Sequence, residues 1–439
     1  MAAQIIDSKE QQQLPHPDAS SGFASSSGLK AETSQRELKV PDALREALSS
    51  SDLAWSHSNE SSNDFRSDSY TKPSLPMLEA IIATSLGDGD TDEDAVTRSL
   101  EEYIADLVGH EASLLVASGT MGNLVAHQAA LKTPPYSILA DARGHFHTFE
   151  CGSASYLTGV LVRQAFPSNA HHLTLEDVKR QATLGESIYE VPTRIISLEN
   201  TLNGTIMPLS DVRAISQWVH AQNPPIHLHL DGARVWEAVA AGAFTLREIG
   251  DIVTGSSAYI KRARWSRKLL GGGMRATGLI TASAIVAIED VFFSGKMKAA
   301  QEKAKYASEL WEQLGGKLAV PTETNIVWLD LEASGPTYED FYPVAKDFDL
   351  KFRDLQPGRL VFHYQISDSH GDAAWAPLGQ GRFKTAEARE AANAGGGRSA
   401  QMNEDEVKVS EALKAVATLK KTSLHAVVLS SLYTVTVTD

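Results

Sequence analysis

Leu100, Tyr103, Ile104, Leu107 and Val108 recur at the i, i+3, i+4, i+7, i+8 spacing of an amphipathic helix, and Gly109 follows where such a helix would stop. The next apolar run, residues 113–117, lacks that period. It ends in the small-residue turn Ser118-Gly119-Thr120 ahead of a second helical stretch, 121–131, so strand, turn and helix are expected in that order. Further strands are expected at 137–140, 159–162, 194–198 and 226–230, with a helix over 209–219 between the last two. Strands interleaved with helices predict an α/β fold with a mostly parallel sheet covered on both faces. Ligand sites in such sheets lie at the carboxyl ends of the strands.

Outside this region the pattern weakens. Residues 1–62 are rich in Ser, Gln and Asp, with runs such as Gln11-Gln12-Gln13 and Ser25-Ser26-Ser27. They read as a disordered N-terminal arm with one short helix near 42–48, and the body begins near Phe65. A large domain is expected over 63–295 and a small C-terminal domain over 296–439. A low-complexity insertion near 371–400, carrying Gly395-Gly396-Gly397, interrupts the small domain before a helical pattern resumes at 404–419.

Composition narrows the function classes. Hydrophobic residues at 42% and charged residues at 22% are ordinary for a globular protein. A formal net charge of -15 opposes nucleic acid and anionic membrane surfaces, and neither partner is expected. The N-terminus lacks the basic, apolar, small-residue order of a secretory signal, and no apolar stretch reaches the length of a membrane span. The single cysteine, Cys151, excludes an internal disulfide framework and suits a reducing compartment, so a cytoplasmic location is expected.

Five segments could carry chemistry. Ser118, Gly119 and Thr120 offer backbone N–H groups and the positive end of a helix dipole to a phosphate; a plain turn capped by Ser118 also explains them. In Leu228-His229-Leu230-Asp231-Gly232-Ala233-Arg234 the Asp231 carboxylate emerges as a strand ends. There it can pair with a protonated pyridine nitrogen, or cap the next helix. In the segment Gly144-His145-Phe146-His147-Thr148-Phe149-Glu150, His145 can stack on a cofactor ring and a nearby carboxylate can orient it; the alternative is a pair of surface histidines. Glu199-Asn200-Thr201 gathers polar groups at another strand end, beside a turn built by Asn203-Gly204. Lys261 to Lys268, followed by Gly271-Gly272-Gly273-Met274-Arg275, is the strongest basic cluster in an acidic chain, suited to a ligand or a partner subunit and otherwise a solvated helix face. Histidine pairs at 145/147 and 227/229 could share a face around the metal of a hydrolase. That reading leaves the phosphate turn and the glycine segment unexplained, so no metal is expected.

Taken together and in this order, the segments resemble the threonine aldolase group of pyridoxal-phosphate (PLP) proteins, and more closely its fungal members. The resemblance runs from Asp64-Phe65-Arg66-Ser67-Asp68 and Thr71-Lys72-Pro73, through the segments above, to Arg359-Leu360-Val361. It implies a PLP-dependent transferase-like (fold type I) large domain, a small α+β C-terminal domain, and work as a homodimer or homotetramer. By matching position it implies that Ser118, Gly119 and Thr120 cradle the cofactor phosphate, His145 stacks on the pyridine, Asp231 pairs with the ring nitrogen and Arg234 bonds to the ring oxygen. Glu199 belongs to the same cofactor-binding set. Lys268 and Arg275 resemble the pair that supports the phosphate or the subunit contact, and Ser67 and Arg359 would hold the substrate carboxylate. The implied reaction cleaves a β-hydroxy-α-amino acid to glycine and an aldehyde, with His145, Asp231 and Arg234 as its catalytic residues. An amino-acid (alanine) racemase and a non-catalytic PLP-fold protein are the alternatives.

One part of the pattern is absent. The family carries Ser-Lys-Gly on a strand, then a glycine-rich loop and another strand, between Asp-Gly-Ala-Arg and the basic helix. This chain runs from Glu248-Ile249-Gly250-Asp251 straight into Ile252-Val253-Thr254-Gly255-Ser256. No Schiff-base lysine is found, since Lys261, the first lysine after Asp231, matches a position on the later helix. Thr91 and Asp92 stand where the family usually has Tyr-Gly, and Leu202 where many members have a histidine. Loss of a buried central strand leaves apolar surface without a partner, so poor folding is expected unless a neighbour fills the gap.

Overall fold

The β-branched and leucine-rich runs form a four-stranded sheet in a computed structural model of the chain, which describes residues 42–48 and 61–367 apart from 186, 254–256, 336, 348, 354, 355 and 357. Most of the expected N-terminal arm, the insertion near 371–400 and the helix at 404–419 lie outside the described residues. The strands are β1 Ser137–Asp141, β2 Leu161–Ala165, β3 Thr193–Glu199 and β4 His227–Asp231. All pair in parallel in the order β2-β1-β3-β4. Side chains alternate between faces. Leu139, Ile196 and Leu198 meet Val212, Ile215 and Val219 of the helix Leu209–His220 on one side. Ile138, Ala140 and Ile195 pack with Phe146 on the other. Register sets Glu199 beside Asp231, so two carboxylates share the carboxyl edge of the sheet.

Two expectations need correction. The second strand starts at Leu161 rather than 159 and runs to Ala165, because Gly159, at φ +70°, ends the helix Ser153–Thr158. Residues 113–117 form no strand. Leu115 N–H instead donates to Glu101 Oε1 at 2.7 Å, and its carbonyl accepts from Arg267 Nη1 at 2.8 Å.

The reason lies at the outer edge of β4. Among the described residues no strand follows it before the basic helix Ser257–Leu269. That helix packs against the helix Gly119–Ala130, with Tyr259 O–H donating to the Ala126 carbonyl at 2.9 Å and Arg262 Nε to the Ala129 carbonyl at 2.8 Å. The Tyr259 ring stacks on His227 with centroids 5.2 Å apart. The basic helix thus meets the outer edge of the sheet through Tyr259, and Leu115, in the run expected as a strand, has its backbone groups bonded by side chains.

A second core lies C-terminal. The helix Lys296–Gln313, the antiparallel pair β5 Ile326–Trp328 and β6 Arg359–Val361, and the helix Tyr338–Asp347 surround Phe341, Phe352 and Phe362. Phe65 enters this core from the N-terminal side, edge-on to Phe362 at 5.1 Å, and its carbonyl accepts from Val361 N–H at 2.9 Å. Ser61 and Ser62, at the end of the expected arm, are buried beside it. This seam carries Ser67 and Asp68 towards the carboxyl edge of the sheet. No single described helix is long and apolar enough to cross a membrane.

Candidate active site

The carboxyl edge gathers three acids, Asp141 on β1, Glu199 on β3 and Asp231 on β4, and the turns that follow them build the site. Asn123, one turn into the helix Gly119–Ala130, organises its centre. Its Nδ2 donates to Asp231 Oδ2 at 2.8 Å and to Glu150 Oε1 at 2.9 Å, and its Oδ1 lies 2.9 Å from His229 Nε2. With the amide nitrogen spent on two carboxylates, the amide oxygen must accept, so His229 carries its proton on Nε2. Burial pushes His229 down to about 4, which keeps that imidazole neutral. Ala233 N–H also donates to Asp231, at 3.0 Å. Glu150 in turn holds His145, whose Nδ1 lies 2.9 Å from Glu150 Oε1.

Glu199 accepts from the His145 backbone N–H at 2.7 Å. Burial, and then the neighbouring charge of Asp231, push its carboxyl up to about 8, so it is protonated at neutral pH. Arg234, just past β4, forms a two-pronged pair with Asp68, both contacts at 2.8 Å. Burial opposes ionisation of Asp68, but the Arg234 guanidinium outweighs it and holds the carboxyl well below its usual range. Ser67 caps the short turn Asp68–Tyr70, and Arg359 on β6 donates to the Arg66 carbonyl at 3.1 Å. Burial, then the like charges of Arg234 and Arg353, lower Arg359 to about 9.

One cavity is lined by Ser67, His145, Glu199, Arg234 and Arg359, five of the residues singled out in the sequence. Asp231 reaches it through the Asn123 network. Ser118, Gly119 and Thr120 form the start of the helix that carries Asn123, with Ser118 Oγ accepting from Met121 N–H at 3.2 Å. Lys268 and Arg275 stand elsewhere, paired with Asp90 and Asp88. Lys261 is exposed, its ammonium 5.7 Å from the Trp265 ring centre. Among the described residues no lysine lines the cavity, and no group of three or more His, Cys, Asp or Glu is placed to hold a metal ion. Sequence reasoning assigned no role to Asn123, Asp68, Arg143 or Arg353. The first two lie inside quoted motifs, and Arg143 follows the acid that ends β1.

The beta-eliminating lyase family model matches residues 64–253 and again 246–334. The chain belongs to the beta-eliminating lyase family. The two parts of the match both cover 246–253. The chain is similar to an aldolase, vrtJ, of Penicillium aethiopicum, at 43% identity over 72% of the chain and 84% of that protein. It is similar to a low-specificity L-threonine aldolase of Eremothecium gossypii, at 37% identity over 70% and 84%. Among solved structures, a threonine aldolase of Leishmania major superposes with a TM-score of 0.60, covering 71% of this chain and 97% of that one at 20% identity. The fold is therefore the fold type I arrangement that the resemblance implies.

The residues present fit the ring and phosphate of PLP. A fixed carboxylate sits at the strand end, an imidazole is oriented beside it, and the N-terminus of a 12-residue helix starts one turn before Asn123. The amine-bearing side chain of the family pattern has no counterpart among the residues lining the cavity.

Proposed function

We propose that the chain is a PLP-dependent carbon–carbon lyase of the threonine aldolase type, which holds its cofactor without a covalent tether. The observation that carries this reading is the Asn123-centred network, which ties Asp231, Glu150 and His145 into one unit beside Ser67, Arg234 and Arg359. When bound, the cofactor supplies a cationic pyridine ring that withdraws electrons from the substrate α-carbon.

The chain's own residues do the rest. The helix start at Ser118, Gly119 and Thr120 binds the phosphate through backbone N–H groups. Asp231, fixed by Asn123 and Ala233, keeps the ring nitrogen protonated. Ser67 and Arg359 bind the substrate carboxylate and Arg234 orients the ring oxygen. Glu150 holds the His145 imidazole through Nδ1, so exchange of the substrate's β-hydroxyl proton falls to Nε2. Protonated Glu199 supports the His145 backbone without adding a second negative charge beside Asp231. The homodimer or homotetramer and the cytoplasmic setting are assigned on the family resemblance and the single cysteine.

Equilibrium dialysis of PLP against the full chain, followed by an assay of acetaldehyde from L-threonine, tests the proposal. Specific binding that Asp231→Ala abolishes, with aldehyde release above that of free PLP, is expected. Binding unaffected by Asp231→Ala sinks it.

A further inference from the structure

A second cavity, of about 590 Å³, shares Arg234 with the catalytic one and has Asp68 in its wall. Its volume lies within the roughly 300–1,000 Å³ typical of small-molecule sites. Two kinds of surface meet in it. Segments 68–73 and 363–364 supply the polar side, tied together where the Gln365 side chain accepts from the Lys72 N–H and donates to the Lys72 carbonyl, both at 2.8 Å. Helices supply the apolar side: Trp236 from Val235–Ala240, Val291 and Phe292 from the π-helix Ile288–Phe293, and Met297 from Lys296–Gln313. Trp236 and Phe292 meet edge to face with ring centres 4.7 Å apart, which makes an aromatic corner. Turns of π-helix are rare and are found frequently at functional sites.

The charges of the polar side reduce to one. Asp68 and Arg234 neutralise each other. Burial pushes the Glu237 carboxyl up to about 8, so it adds no charge at neutral pH. His363 donates through Nε2 to the Asp64 carbonyl at 2.9 Å, since a carbonyl can only accept, and its Nδ1 accepts from Gln365 N–H at 3.3 Å. It is therefore the neutral tautomer. Lys72 remains, and its ammonium has no hydrogen-bond or ion-pair partner among the described residues. An apolar wall left in water favours a ligand that covers it, and a lone ammonium orients that ligand through a charge-assisted bond.

We propose that this cavity is a second ligand site, which takes a small amphipathic monoanion: a carboxylate on Lys72 and an aromatic body against Trp236, Val291 and Phe292. It is separate from the amino-acid site, because Ser67 and Arg359, which take the substrate carboxylate there, do not line it. The inference stands whether or not the chain is a lyase. It also gives a role to Lys72, whose Thr71-Lys72-Pro73 segment the catalytic cavity leaves unused.

Calorimetric titration of the full chain with phenylbutyrate, phenylbutanol and butyrate, at pH 7 and fixed salt, tests this without turnover. Wild type is expected to bind phenylbutyrate at least roughly tenfold tighter than either the uncharged alcohol or the ringless acid. Lys72→Met, which removes the charge and keeps the length, is expected to bring phenylbutyrate to within about twofold of phenylbutanol while binding the alcohol as before. Ala287→Trp, which fills the cavity from the helix Gly278–Ala287, is expected to lose both ligands with its urea midpoint retained. No binding of phenylbutyrate to wild type, equal binding of phenylbutyrate and phenylbutanol, or unchanged binding in folded Ala287→Trp overturns the inference. So does a preference for phenylbutyrate that survives in Lys72→Met, which would place the carboxylate on Arg359 in the catalytic cavity. Should Ala287→Trp fail to fold, the Lys72→Met comparison decides alone.

Discussion

Replacing Glu237 by Gln should turn a pH-sensitive fold into a less sensitive one. Glu237 is 6% exposed on the helix Val235–Ala240, and its Oε2 accepts from Gln301 Nε2 at 2.6 Å. Burial pushes its carboxyl up to about 8; Gln301 and Arg234 pull it down, and Asp68 adds to the rise. The folded state therefore holds this proton more tightly than the unfolded chain does. Its stabilising effect is fully present below the ordinary value of 4.5 and is lost as pH rises through about 8. At about 1.4 kcal/mol per pH unit, the ceiling on the loss is roughly 5 kcal/mol, and relaxation around the charged form reduces it to about 2–4 kcal/mol. Gln keeps the shape and an acceptor for Gln301 but has no proton to lose. Urea unfolding of wild type and Glu237→Gln at pH 5 and pH 9 measures the difference. The variant should match wild type within about 1 kcal/mol at pH 5 and exceed it by about 2–4 kcal/mol at pH 9. Glu199, raised in the same direction, gives both proteins a common slope, so the difference isolates Glu237. Parallel stability curves for the two proteins would refute the reasoning.

Asp68→Ala leaves the Arg234 guanidinium without its two-pronged partner and should cost about 1–3 kcal/mol, read as a lower urea midpoint. Asn123→Ala removes both donors to Asp231 and Glu150 and the acceptor for His229, so the Kd for PLP in equilibrium dialysis should rise roughly 10- to 100-fold. Phe362→Ala, at a fully buried position edge-on to Phe65, should destabilise the chain by about 3–5 kcal/mol without changing the acids of the sheet edge.

Much of the architecture was legible because it is local. The alternation of strand and helix, the cap at Gly109 and the acids ending β3 and β4 follow from period and position, and the family resemblance ordered them into a site. What was not legible depends on contacts distant in sequence. Residues 113–117 read as a strand, yet a strand needs a neighbour. The Leu115 backbone is bonded instead by the Glu101 and Arg267 side chains. The basic run at 261–268 suggested a ligand or a partner subunit, or else a solvated helix face. Within its own chain Arg264 meets Glu101 at 2.6 Å and Arg262 the Ala129 carbonyl, contacts that need the fold to form. Arg353 carries no local signal, since only the fold brings the turn after β1 and the segment before β6 to one cavity. The absent lysine segment was visible in sequence because its neighbours on both sides remain recognisable.

Borohydride reduction of the chain saturated with PLP, followed by denaturing dialysis and intact-mass analysis, tests most directly whether this cofactor site works without a lysine tether. The account predicts that PLP binds in an Asp231-dependent way before reduction and that no pyridoxyl group remains on the protein afterwards. A stoichiometric pyridoxyl-lysine, or no Asp231-dependent binding before reduction, would contradict it.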